Sequence, residues 1–229
     1  MRAILTIYEE LLKLHNRQGW WPLTGINGKN PTKTGSLRGY HPGDYHHPKT
    51  KKEKFEICLG AILTQNTSWP NVEKAILGLE REKILAPEKI LKSLDLKLIE
   101  CIKPSGYFNQ KTKKIRIFSE FYIGLKNKTP ARDELLAIWG IGPETADSML
   151  LYAWHVPTFV VDAYTRRIFT HLKLIKEKSS YEQIKEIFEK NLPRNHELYN
   201  EYHALIVEHA KHFYSKKPFG IQCPLKKLI

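Results

Sequence analysis

At Gly140-Ile141-Gly142 two glycines bracket one apolar residue, and Pro143 follows directly. Helical periodicity flanks this stretch on both sides, which leaves the chain few ways to continue. The glycines permit a tight turn, and a proline in a helix's first turn costs no hydrogen bond because that amide is unpaired anyway. The spacing predicts a helix, tight turn and helix over residues 131–154. The N–H groups of Gly140 to Gly142 and of the next helix's first turn should point outward, as a nest that holds a phosphate without reading sequence. An ordinary αα-corner would need the same glycines, so the downstream residues decide. After the second helix, Ala146 to Trp154, the apolar run His155-Val156-Pro157-Thr158-Phe159-Val160-Val161 delivers Asp162 to a helix start. A carboxylate there is a common cap, and the helix dipole favours its anion.

Elsewhere strand-like alternation is almost absent, so an all-α architecture is predicted. Ile4, Ile7, Leu11, Leu12 and Leu14 recur at helical spacing until Gly19-Trp20-Trp21-Pro22 stops them. Residues 23–52, rich in Gly, Pro, Lys, Tyr and His, carry neither period and read as a long loop, mobile until a partner binds. Its His41, Asp44, His46 and His47 lack metal-ligand spacing and read as solvated side chains. Helical patterns resume at Phe55, restart at Ser68 and Pro70 through Leu79, follow Pro87 and Asp95 as short helices, and run longer over 110–124 and 131–139.

A formal charge of +13, from 37 Lys and Arg against 24 Asp and Glu, favours a polyanionic partner, although a thermophile's charged surface would give a similar excess. Cys58, Cys101 and Cys223 are too few and too scattered for a four-cysteine cluster or a CxxC zinc site, and an odd number argues against a disulfide framework. A reducing cytoplasm fits. The opening helix is broken by acidic residues and reads as neither a signal peptide nor a membrane span.

The hairpin with its downstream aspartate resembles the helix-hairpin-helix and aspartate motif of the endonuclease III superfamily of DNA glycosylases. That resemblance implies a two-lobed fold. A continuous six-helix lobe spans 56–156 and carries the helix-hairpin-helix at 131–154; a second lobe is built from 1–55 with 157–229. Double-stranded DNA containing a damaged base would lie between them, bound by a monomer in the cytoplasm, at the nucleoid, with no membrane partner. Asp162 is then the essential carboxylate, stabilising the sugar cation that develops as the N-glycosidic bond breaks. Gly140, Ile141, Gly142 and Thr145 would hold the DNA backbone, with Na+ or K+ on the carbonyls of Gly140 and Gly142.

Leu59 to Thr67, a polar tip on an apolar helix, is similar to the superfamily segment that plugs the gap left by an extruded base, which assigns Gln65 and Asn66 to DNA. Lys103 to Lys111 is similar to its second minor-groove loop and adds Asn109 and Gln110. With Gly19-Trp20-Trp21-Pro22, Glu144 and His203 to Lys211, these stretches most resemble the 3-methyladenine DNA glycosylase III branch. There Trp20, Trp21, Glu144 and Lys211 would form a pocket that stacks on an electron-poor alkylated purine. The branch's carbamylated lysine is replaced by Leu205, and Lys211 matches a second, nearby lysine.

Bifunctional members place a Schiff-base lysine where this chain has Glu144, so a monofunctional enzyme without lyase activity is expected. Cys223 is the sole cysteine in the tail where others carry four, so no iron–sulfur cluster is expected. The rival readings are a glycosylase for mismatched thymine, uracil or an oxidised base, with lyase activity in some cases, and a non-catalytic DNA-binding module.

Overall fold

The periodicities become eleven α-helices among the described residues, 2–31 and 38–228 of a computed structural model, with no strand among them. They are α1 (Arg2–His15), α2 (Lys51–Leu63), α3 (Trp69–Arg81), α4 (Pro87–Lys92), α5 (Asp95–Ile102), α6 (Phe108–Gly124), α7 (Arg132–Leu136), α8 (Pro143–Trp154), α9 (Ala163–His171), α10 (Tyr181–Asn191) and α11 (His196–Phe213). Helix α2 packs on α8, α3 and α6, while α4 and α5 pack on α6, α5 on α3, and α7 on α8. Helix α1 packs on α10 and α11, and α9 on α11. Contacts between α8 and α11 join the two groups. The chain leaves the first group at the end of α8 and enters the second at α9, so Asp162 falls at the seam.

Three boundaries differ from expectation, each for a local reason. Helix α2 begins at Lys51 rather than Phe55, because Thr50 and Glu53 form a reciprocal capping box. Helix α7 ends at Leu136 rather than 139, because the chain must already turn toward Gly140, whose φ of +84° suits glycine. The long loop, whose residues 32–37 lie outside the described residues, is pinned rather than free over 38–50. The His41 amide donates to the Gly19 carbonyl, the His41 ring bonds the Trp21 carbonyl at 2.9 Å, and the Tyr45 hydroxyl donates to buried Glu201 at 2.6 Å.

Candidate active site at the seam

The hairpin keeps part of the predicted nest. The Ile141 amide donates back to the Ile138 carbonyl at 3.1 Å and its side chain is core, so that amide is not available to a phosphate. Gly142 is the N-cap of α8 and offers no side-chain cap, and Pro143 takes the first position, which leaves the amides of Glu144 and Thr145 open at the helix start. The expected cation pair fits poorly. The Gly142 carbonyl accepts from Ala146 as the first bond of α8, whereas the Gly140 carbonyl accepts from the Gln65 amide at 3.0 Å, so the two face different partners.

Gln65 is held on the hairpin. Its amide also donates to the Thr145 hydroxyl at 3.0 Å, and Lys114 donates to its carbonyl oxygen. Asn66, Asn109 and Gln110 are exposed, at the ends of α2 and the start of α6. The two tips are tied by Lys111, the last residue of the second minor-groove segment, to which sequence reasoning assigned no role. Its ammonium is buried and donates to the carbonyls of Leu63 at 2.8 Å and Ser105 at 2.7 Å. Burial, with Lys114 nearby, pushes it down to about 8.

Asp162 caps α9. Its Oδ1 accepts from the Thr165 amide at 2.6 Å and from the Thr165 hydroxyl at 2.7 Å, while Oδ2 lies 3.8 Å from His203 Nε2 on α11. The Tyr152 hydroxyl is 2.7 Å from the other ring nitrogen of His203. Beside them, the expected tryptophan pair divides. Trp21 is core, edge-on to Trp69 and Tyr152 at centroid distances of 5.2 Å, and packs so closely that a Cβ on Gly60 would meet its ring at 3.0 Å. Trp20 is half-buried, lies nearly parallel to Trp69 (22°, 6.5 Å) and meets His203 edge-on at 5.9 Å. One aromatic wall thus reaches the carboxylate's neighbour.

Glu144 is solvent-accessible but crowded by protein on the open end of α8. That desolvation, with the charge of Asp162, pushes its carboxyl up to about 7. Lys211 bonds Glu208 at 3.3 Å, eight residues beyond His203 on the same helix and so roughly 12 Å along its axis. Leu205, between His203 and Lys211 in sequence, is fully buried core. Lys211 thus lies about two turns beyond His203 on α11, paired with Glu208. All three cysteines are buried and free, and among the described residues no group of three His, Cys, Asp or Glu side chains could hold a metal ion.

An all-helical fold in which a glycine hairpin joins α7 to α8 is a helix-hairpin-helix architecture. Residues 59–194 match the HhH-GPD superfamily base excision DNA repair protein model, and the chain belongs to this superfamily. A Methanocaldococcus jannaschii protein named "putative DNA repair glycosylase" is 43% identical, over 98% of this chain and 94% of its own length. Endonuclease III of Thermotoga maritima is 30% identical over 78% of this chain and 84% of its own. Among solved structures, the Helicobacter pylori 3-methyladenine DNA glycosylase bound to 1,N6-ethenoadenine superposes with a TM-score of 0.67 and 26% identity, over 93% of this chain and 98% of that one.

Proposed function

We propose that this glycosylase is monofunctional and excises alkylated purines, of the 3-methyladenine kind, from double-stranded DNA. The observation that carries the proposal is the wall of Trp20 and Trp69, joined through His203 to Asp162. A methylated, cationic purine stacks on an electron-rich indole better than a neutral base does. It also leaves easily. The electron pair of the C1′–N bond neutralises the base, water adds its oxygen to C1′, and the water's proton passes to solvent or to Asp162. Asp162 serves by stabilising the positive charge on the sugar. The 3-methyladenine glycosylase similar over nearly the whole chain supports this substrate class.

In this reading the open amides at the start of α8 hold a backbone phosphate, and Gln65, Asn66, Asn109 and Gln110 enter the duplex where the nucleotide is extruded. The lobes divide at 56–156, and the protein works as a cytoplasmic monomer without an iron–sulfur cluster. Lys211, on α11, completes the pocket. The endonuclease III relatives favour a second reading, with strand cleavage; Glu144 weighs against it, since a carboxylate forms no imine.

Base release from duplexes containing 3-methyladenine, uracil, 8-oxoguanine, thymine glycol or a G·T mismatch decides the substrate. We expect release of the methylated purine alone. Inactivity on it with release of another base would overturn the assignment.

A further inference from the structure

We infer that His203 positions the Asp162 carboxylate for base release, as a neutral hydrogen-bond donor whose tautomer Tyr152 fixes. The inference rests on Asp162 being the catalytic carboxylate. Thr165 occupies Oδ1 twice, through its amide and its hydroxyl. Oδ2, the oxygen left for chemistry, faces His203 Nε2 at 3.8 Å. His203 is 5% exposed, and its Nε2 is buried without a hydrogen-bond partner. A buried polar atom left open is costly. Here it is aimed at the one carboxylate oxygen that the cap does not hold.

The tautomer follows from Tyr152. Burial raises its hydroxyl well above the usual range, so the proton stays on it. The hydroxyl can donate to His203 Nδ1 at 2.7 Å or to the Asn200 carbonyl at 3.3 Å, and the shorter contact is with the ring. With Nδ1 accepting, the ring proton sits on Nε2, toward Asp162. Burial lowers the basicity of His203 more than the charge of Asp162 raises it, so the ring is neutral near pH 7. A neutral N–H orients the carboxylate without cancelling its charge. A lysine or arginine at this place would orient it too, but would oppose the sugar cation that the carboxylate must stabilise. Closing 3.8 Å to a hydrogen bond of about 2.9 Å needs a shift of under ~1 Å, of the kind by which catalytic contacts tighten once substrate is bound.

The titratable groups that bear on His203 are Asp162 at the start of α9 and Tyr152 on α8. Asp162 also acts on Glu144, and Glu201 acts on Tyr152. The Trp20 ring, which carries no charge, lies edge-on to His203 at 5.9 Å.

Two readouts test the role. Imidazole-15N NMR of the full chain without DNA should show His203 protonated on Nε2. Single-turnover release of 3-methyladenine from DNA treated with a methylating agent should fall on the order of 10–100-fold in His203→Leu, with DNA affinity unchanged. That is below the loss expected when a donor contacts the transition state directly. His203→Gln, whose amide can reach the Nε2 position, should recover most of the rate, and Tyr152→Phe should fall between. A folded His203→Leu with wild-type release overturns the inference. So does a wild-type ring protonated on Nδ1, which can be read even if the variants fail to fold. Loss of release in Asp162→Asn alongside wild-type release in His203→Leu removes only the positioning role; full release in Asp162→Asn removes the reading beneath it.

Discussion

Asp162, the proposed catalytic carboxylate, stands out in the sequence because its signal is local: a glycine hairpin, one helix, an apolar run and a carboxylate at a helix start, all within some two dozen positions. Its surroundings were not. Trp69, Tyr152 and His203 come from α3, α8 and α11, and nothing in the local pattern of each helix separates a side chain turned to the seam from one turned to the core. Trp20 and Trp21 show the same limit, since adjacent indoles of one dipeptide go to the wall and to the core. Glu144 gives a residue-scale prediction. If only the missing lysine separates this site from lyase chemistry, Glu144→Lys should yield a borohydride-trapped covalent adduct with abasic DNA while the wild type yields none. An adduct from the wild type would show that another amine of this chain attacks the sugar.

At the scale of elements, helix existence followed from periodicity, while the ends of α2 and α7 depended on a capping box and on the approach to Gly140. What fixes the hairpin against its neighbours was hidden altogether. Asp147, one turn into α8 and fully buried, reads in sequence as a polar residue on a helix face. It accepts from Arg132 at 2.8 and 3.0 Å, Lys185 at 2.9 Å, Thr158 at 3.0 Å and Tyr181 at 2.8 Å, and so joins α7, α8, α10 and the strap leading to Asp162. Asp147→Asn keeps the shape but leaves Lys185 buried with a weaker partner. Breaking a buried pair in this way costs about 3–5 kcal/mol, and the lower end applies because Arg132 keeps Glu182 and some solvent. Thermal melting should fall by roughly 6–12 °C at 2–4 °C per kcal/mol for a chain of this size. An unchanged melting temperature would mean that the network carries no net stability.

At the scale of the whole molecule, Glu56 makes a contribution to stability that falls as pH rises from about 4.5 to 7. Glu56, which accepts from the Thr24 amide at 2.7 Å and the Thr24 hydroxyl at 2.8 Å, is buried, and burial pushes its carboxyl up to about 7 against those two bonds. A carboxyl raised on folding contributes stability that is complete below its ordinary value and lost as pH rises through the folded one, here on the order of 3 kcal/mol between pH 4.5 and 7. Glu144 and Glu201 shift in the same direction. His209, pushed down to about 3 by burial, contributes stability that is complete above pH 6.5 and lost as pH falls. Melting temperatures recorded from pH 5 to 8 should therefore decline more steeply in the wild type than in Glu56→Gln, and parallel curves would contradict the assignment.

The proposed mechanism requires Asp162 to act in the chemistry rather than only cap α9. Asparagine can still accept the Thr165 bonds, so Asp162→Asn separates the two roles. Single-turnover release of 3-methyladenine, measured beside binding to the same DNA, should show release lost by two orders of magnitude or more, roughly the loss seen when transition-state stabilisation is removed, with binding and melting temperature kept. Release at the wild-type rate would leave this residue a helix cap and nothing more.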